Sequence, residues 1–146
     1  MNIQPDFEEF LRLLEKNKVR YMIIGGYAVA FHGFPRFTKD IDIFYIDTDE
    51  NIEKIIKALI EFGFKRENLK QKMFKKKGNV IQFGIEPVRI DLLNEIDGVC
   101  FIDAEKNTVS GKYGKVKVKF INKRDLIKNK KATKRLKDKA DVEELK

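Results

Sequence analysis

The sequence predicts an α/β (α+β) domain: a mixed, largely antiparallel sheet with helices packed on one side and a helical C-terminus. Three observations predict it. Short apolar or alternating runs recur near residues 21–24, 40–46, 79–85, 87–93 and 115–121, the pattern of strands. Residues 5–17 and 49–62 instead carry apolar side chains at helical spacing. After Asn122 the chain turns lysine-rich, and helix signals replace strand signals.

With 146 residues, the chain is expected to be one domain, 1–146, with an α/β core to about 121 and basic helices over about 122–146. Charged residues make up 37% of it, against a typical ~25%, yet an apolar share of 42% supports a globular core. The single cysteine, Cys100, excludes an internal disulfide framework and fits a reducing compartment. It is expected to be a small buried apolar residue rather than a nucleophile. No apolar run approaches the ~18 residues that suggest a membrane span. The N-terminus, MNIQPDFEEF, shows no secretory or transit pattern, so the expected location is the cytoplasm.

Taken in order, residues 5–17 open with Pro5 and Asp6 and place Phe7, Phe10, Leu11 and Leu14 on one helical face. Tyr21 to Ile24 read as a buried strand that stops at Gly25-Gly26. Tyr27 to Phe31 suit a short helix, closed by Gly33 and Pro35. Asp40-Ile41-Asp42-Ile43-Phe44-Tyr45-Ile46 is a second strand, opening in strict alternation. Residues 49–62 are a helix capped by Asp47 or Thr48 and ended by Gly63. Residues 70–77, 79–85 and 87–93 look like three strands, separated by the Lys77-Gly78-Asn79 turn and the Glu86-Pro87 break. The first of these, LKQKMFKKK, could be a lysine-protected sheet edge or a face for a nucleic-acid backbone or an NTP tail. Residues 108–110 and 115–121 suit a hairpin, with Lys115, Lys117 and Lys119 opposite Val116, Val118 and Phe120. Asn122 caps a helix starting KRDLI, and another helix follows from about Arg135.

The chemistry is concentrated at 22–46. Asp40 and Asp42 share a strand face with Cα atoms ~6.6 Å apart. At close approach near a surface, two like charges repel by about 4 kcal/mol. A hard divalent ion such as Mg²⁺ reverses that sign and suits carboxylate ligands, with substrate phosphates completing its shell. The glycine pair lets a ligand approach the backbone closely, and the helix after it offers N–H groups to a phosphate chain. Alone, a glycine pair serves any strand-to-helix turn; thirteen residues before Asp-Ile-Asp it suggests a phosphate site. Asp91, in the apolar strand Val88-Arg89-Ile90-Asp91-Leu92-Leu93, is costly to bury unless it meets a lysine or a metal, and it is the third member of a candidate two-metal cradle. If Thr38 belongs to the strand of Asp40 and Asp42, its hydroxyl faces the same phosphate. His32, the sole histidine, cannot build a zinc site and is expected to cap or brace the helix before it.

Gly25-Gly26, Asp40-Ile41-Asp42 and Asp91 together resemble the signature of the nucleotidyltransferase superfamily with the DNA polymerase β-like fold. The fuller string GGYAVAFHG-x-x-R-x-T-x-DIDI, with Arg36 and Thr38, is similar to a prokaryotic branch that includes the type IV toxin (AbiEii-like) nucleotidyltransferases. The tail, from Asp125-Leu126-Ile127 through Arg135-Leu136-Lys137-Asp138 to Asp141, looks like that branch's closing helices. The resemblance implies transfer of an NMP from an NTP, with pyrophosphate released and two Mg²⁺ ions (or Mn²⁺) held by Asp40, Asp42 and Asp91. Arg36 and Thr38 join Gly25 and Gly26 as expected nucleotide contacts. Lys131, Arg135 and Lys137 fall where such enzymes turn their last helices toward the site, and are expected phosphate contacts.

The resemblance does not fix the acceptor. Residues 112–146 hold 14 Lys and Arg against 5 Asp and Glu, so the tail carries +9 while the rest is near neutral. That field draws polyanions, which puts RNA slightly ahead of a protein hydroxyl. A toxin with a paired antitoxin is one setting for such an enzyme. A non-catalytic module that keeps the fold and binds nucleotide or a partner is the alternative.

Overall fold

The computed structural model describes residues 3–85, 88–133 and 135–146. In chain order, α1 (Pro5–Lys16) leads to β1 (Tyr21–Ile24), α2 (Gly25–Phe31), β2 (Asp40–Tyr45) and α3 (Asp49–Phe62). A 3₁₀ turn, Arg66–Asn68, precedes α4 (Gln71–Lys75), β3 (Val80–Ile85) and β4 (Val88–Leu93). Then come α5 (Phe101–Glu105), β5 (Val109–Tyr113), β6 (Val116–Phe120), α6 (Lys123–Ala132) and α7 (Leu136–Leu145). The strands form one six-stranded sheet in the order β3-β4-β2-β1-β6-β5. It is mixed: β2–β4 and β1–β6 run parallel, and the other three pairings are antiparallel.

Alternation divides β2 and β4 between two environments. Ile41, Ile43, Ile90 and Leu92 are buried on the face where Phe10 of α1 and Phe62 of α3 meet, with Phe83 of β3 edge-on to Phe10. Apolar burial at about 25 cal/mol per Å² holds this layer together. Asn51 ties α3 to the sheet by accepting from the Arg20 N–H and donating to the Arg20 and Ile46 carbonyls. The opposite face presents Asp40, Asp42, Arg89 and Asp91, in register across the parallel pair.

Most element boundaries match expectation, and the caps explain why. Thr48 caps α3 through the Asn51 N–H, and Asn122 caps α6 through that of Asp125. Gly63, at φ 126°, ends α3. One expected strand is corrected: 70–77 is not a sheet edge but contains the five-residue helix α4. Phe74 anchors it, fully buried, and its carbonyl accepts from the Tyr45 hydroxyl and the Asn94 amide. Lys75 and Lys77 pair with Asp49 and Asp47, so β3 takes the edge instead. The helix after β1 starts at Gly25 itself rather than beyond the pair. The Glu86-Pro87 break lies outside the described residues. Cys100 is exposed, not buried, at the start of α5. Among the described residues no helix is long and apolar enough to cross a membrane.

Candidate active site

The β2–β4 pairing sets Asp42 opposite Asp91 and Asp40 opposite Arg89. These four side chains floor a cleft of about 720 Å³. Gly25, Gly26, the loop before β2, the end of α6 and the start of α7 border it, together with Val80 and Gln82 of β3.

Asp40, Asp42 and Asp91 converge on the cleft floor, and Gly25 and Gly26 border it. Gly25 has φ +68°, and a Cβ there would collide with an Asp42 carboxylate oxygen. A Cβ on Gly26 would lie 2.9 Å from the Thr38 methyl. Thr38 sits in the loop before β2 rather than on the strand, with its hydroxyl buried and unpartnered among the described residues. Arg36 reaches the cleft wall but donates to both carboxylate oxygens of Asp141. Arg135 and Lys137 line the cleft; Lys131 faces away, in a shallow depression with Arg124, Ile127 and Lys128. His32 braces the fold, its Nε2 lying 2.8 Å from the Ile121 carbonyl oxygen.

Two charged residues join the site that motif reasoning passed over. Arg89 contacts Asp40 at 2.8 Å and Asp91 at 3.1 Å. Alternation along β4 already puts Arg89 and Asp91 on one face, so the signal was present. Lys130 is buried, with its ammonium 2.9 Å from Asp138 and 3.0 Å from Asp141. It lies four residues after the buried Leu126, on the inward face of α6. Thr133 donates to the second Asp138 oxygen, completing a polar knot that holds α7 against α6 beside the cleft.

The electrostatics are those of crowded acids. Burial, then the neighbouring Asp91 and Asp40 carboxylates, push Asp42 up to about 7, with Arg89 opposing the rise. Asp138 and Asp141 go the other way. Burial raises both, but the Thr133 and Lys130 bonds to Asp138, and the Arg36 and Lys130 bonds to Asp141, outweigh it and leave both below the carboxylate norm. The signs give opposite pH windows. Folded Asp42 holds its proton after the unfolded chain has released its own, so this residue's stabilisation is lost as pH rises from about 4 to about 7. The tail acids contribute stability that is lost as pH falls below about 4. Thermal melts of the metal-free protein are expected to decline from pH 5 to 7.5, and Asp42→Asn is expected to flatten that decline.

The donor set suits a hard cation. Three carboxylates share the floor, and one oxygen of Asp40 is buried with no hydrogen-bond partner among the described residues. As they stand, no three acidic, His or Cys side chains among the described residues close on one point as a ready metal cage. Arg89 lies among the acids instead.

Residues 4–146 match the family described as "Nucleotidyl transferase of unknown function (DUF2204)". The chain belongs to that family, and it is a nucleotidyltransferase. The AbiEii-like branch suggested by the GGYAVAFHG-x-x-R-x-T-x-DIDI string and by the tail is not supported by this match. No curated protein matches the sequence. Among solved structures, the enzyme's fold is similar to that of the lincosamide antibiotic adenylyltransferase LnuA in its lincomycin-bound crystal structure. The TM-score is 0.58 at 18% identity, covering 99% of this chain and 98% of that one.

Proposed function

We propose that this nucleotidyltransferase moves an NMP from an NTP to a hydroxyl acceptor, in a cleft where Asp40, Asp42 and Asp91 hold Mg²⁺. The observation that carries the reading is the in-register placement of Asp42 and Asp91 on a floor bordered by Gly25-Gly26. Mn²⁺ would serve the same ligands, and two ions would be shared among the three carboxylates. Bound there, the cations would neutralise charge on the phosphates and on the departing pyrophosphate. The bare backbone of Gly25-Gly26 lets the β- and γ-phosphates come close, and the unpartnered Thr38 hydroxyl faces the same side. Arg135 and Lys137 border the mouth with positive charge. The acceptor oxygen attacks the α-phosphorus in line, its proton passes to an Asp91 carboxylate oxygen, and the bond to the pyrophosphate oxygen breaks. Gly26→Val puts a branched side chain against Thr38, and is expected to weaken NTP binding about tenfold or more in calorimetry, with the fold kept.

For the acceptor, the positive tail favours RNA, with Arg135 and Lys137 as contacts at the cleft and Lys131 outside it. A small hydroxyl compound is the second reading, favoured because an adenylyltransferase with lincomycin bound matches this chain over 98% of its own length. Labelled NTP with Mg²⁺, offered total RNA, total protein and small hydroxyl compounds, separates the two. Label in RNA that weakens steeply with salt supports the first; label only in small compounds replaces it. Growth arrest on expression, relieved by Asp40→Asn, would add the toxin role and a paired antitoxin.

A further inference from the structure

Arg89 occupies an unusual place for a cationic side chain in a site meant for cations. It stands on β4 directly across from Asp40 and two residues before Asp91. Its Nη2 lies 2.8 Å from Asp40 Oδ2, and its Nε and Nη2 donate to the two Asp91 oxygens at 3.1 and 3.2 Å. Both of these acids are expected metal ligands, so one guanidinium engages two of the three carboxylates. We propose that Arg89 is a built-in counter-cation, which holds Asp40 and Asp91 while the site is metal-free and must turn away before a divalent ion binds them. This rests on the reading above, in which those carboxylates hold metal.

The physical reasons are charge and geometry. Three acids on one face of a half-covered sheet repel unless positive charge lies among them. The guanidinium is planar and always charged, and its fork of donors matches carboxylate oxygens. A strand position fixes its Cα opposite Asp40, so the contact follows from register rather than from a mobile loop. The same donors face oxygens that a hard ion needs, so guanidinium and metal compete for Asp40 Oδ2 and both Asp91 oxygens.

The test is Mn²⁺ binding by the full chain without nucleotide, followed by calorimetry, alongside thermal melts with and without Mn²⁺. Arg89→Gln is expected to bind Mn²⁺ at least about tenfold more tightly than wild type, because the competitor is gone. Its metal-free form is expected to melt several degrees lower, and Mn²⁺ to restore more of that loss than it adds to wild type. Tighter binding cannot come from damaged folding, so a merely structural role would not produce it. Arg89→Lys, which keeps one charge but loses the fork, is expected to fall between the two and covers the case in which the glutamine variant folds poorly. If wild type binds Mn²⁺ and both variants bind it no more tightly, Arg89 does not compete and the proposal fails while the metal site stands. If no form binds Mn²⁺, the metal reading fails and takes this proposal with it.

Discussion

Replacing Asp42 with asparagine is expected to lower nucleotidyl transfer by at least about 100-fold, the upper end of what losing an outer-shell partner costs a metal site. The same change is expected to leave the metal-free protein as stable as wild type or more so at pH 7.5. Asp42 is held up near 7 by burial and by Asp91 and Asp40, so ionising it works against folding. An amide occupies the same space without that charge, and a rise in melting temperature of about 3 °C or more is expected. A residue kept at the expense of stability is the mark of a functional group rather than a structural one. Activity assays and melts on one preparation check both halves. A variant that is active, or inactive only because it is unfolded, would remove Asp42 from the chemistry.

The second large effect is expected at Lys130. Its ammonium lies between Asp138 and Asp141, and all three side chains are nearly closed to solvent. Lys130→Met leaves two buried carboxylates facing each other with reduced compensation from Arg36 and Arg135. Breaking a buried pair from one side costs about 3–5 kcal/mol. For a chain of this size that corresponds to a melting temperature about 10 °C lower. Protease digestion should open the junction between α6 and α7 first, since the knot spans the two helices. Loss below about 1 kcal/mol in denaturant titration would mean that α7 is held by its apolar contacts, Val142 and Leu145, instead.

These two residues also mark what could be read from the sequence. Asp40-Ile41-Asp42 declares itself because period-two alternation with acids on one face has few structural uses. The site of Asp91 follows from one acid in an apolar strand. The chain entry into α3 and α6 is equally local, since Thr48 and Asn122 cap through their own next turn. Lys130 is different. In the run Lys128-Asn129-Lys130-Lys131, only the phase set by Leu126 says which lysine turns inward, and choosing Lys131 instead picks the exposed side of α6. Arg36 borders the cleft where a phosphate contact is expected of it, while its pairing with Asp141, 105 residues away, left no local trace. The stretch 70–77 is not a strand because LKQKMFKKK has no decisive period, and the buried contact of Phe74 with Tyr45 settles its conformation from outside.

The most direct measurement compares two labels on the same NTP. The enzyme, Mg²⁺ and mixed acceptors are incubated with NTP labelled at the α-phosphate and, separately, at the γ-phosphate. The expected result is α-label joined to acceptor, γ-label released in pyrophosphate, and neither event with Asp40→Asn or Asp42→Asn. Acceptor labelled from the γ-position, or α-label transfer that survives loss of both carboxylates, would contradict nucleotidyl transfer at the β2–β4 cleft.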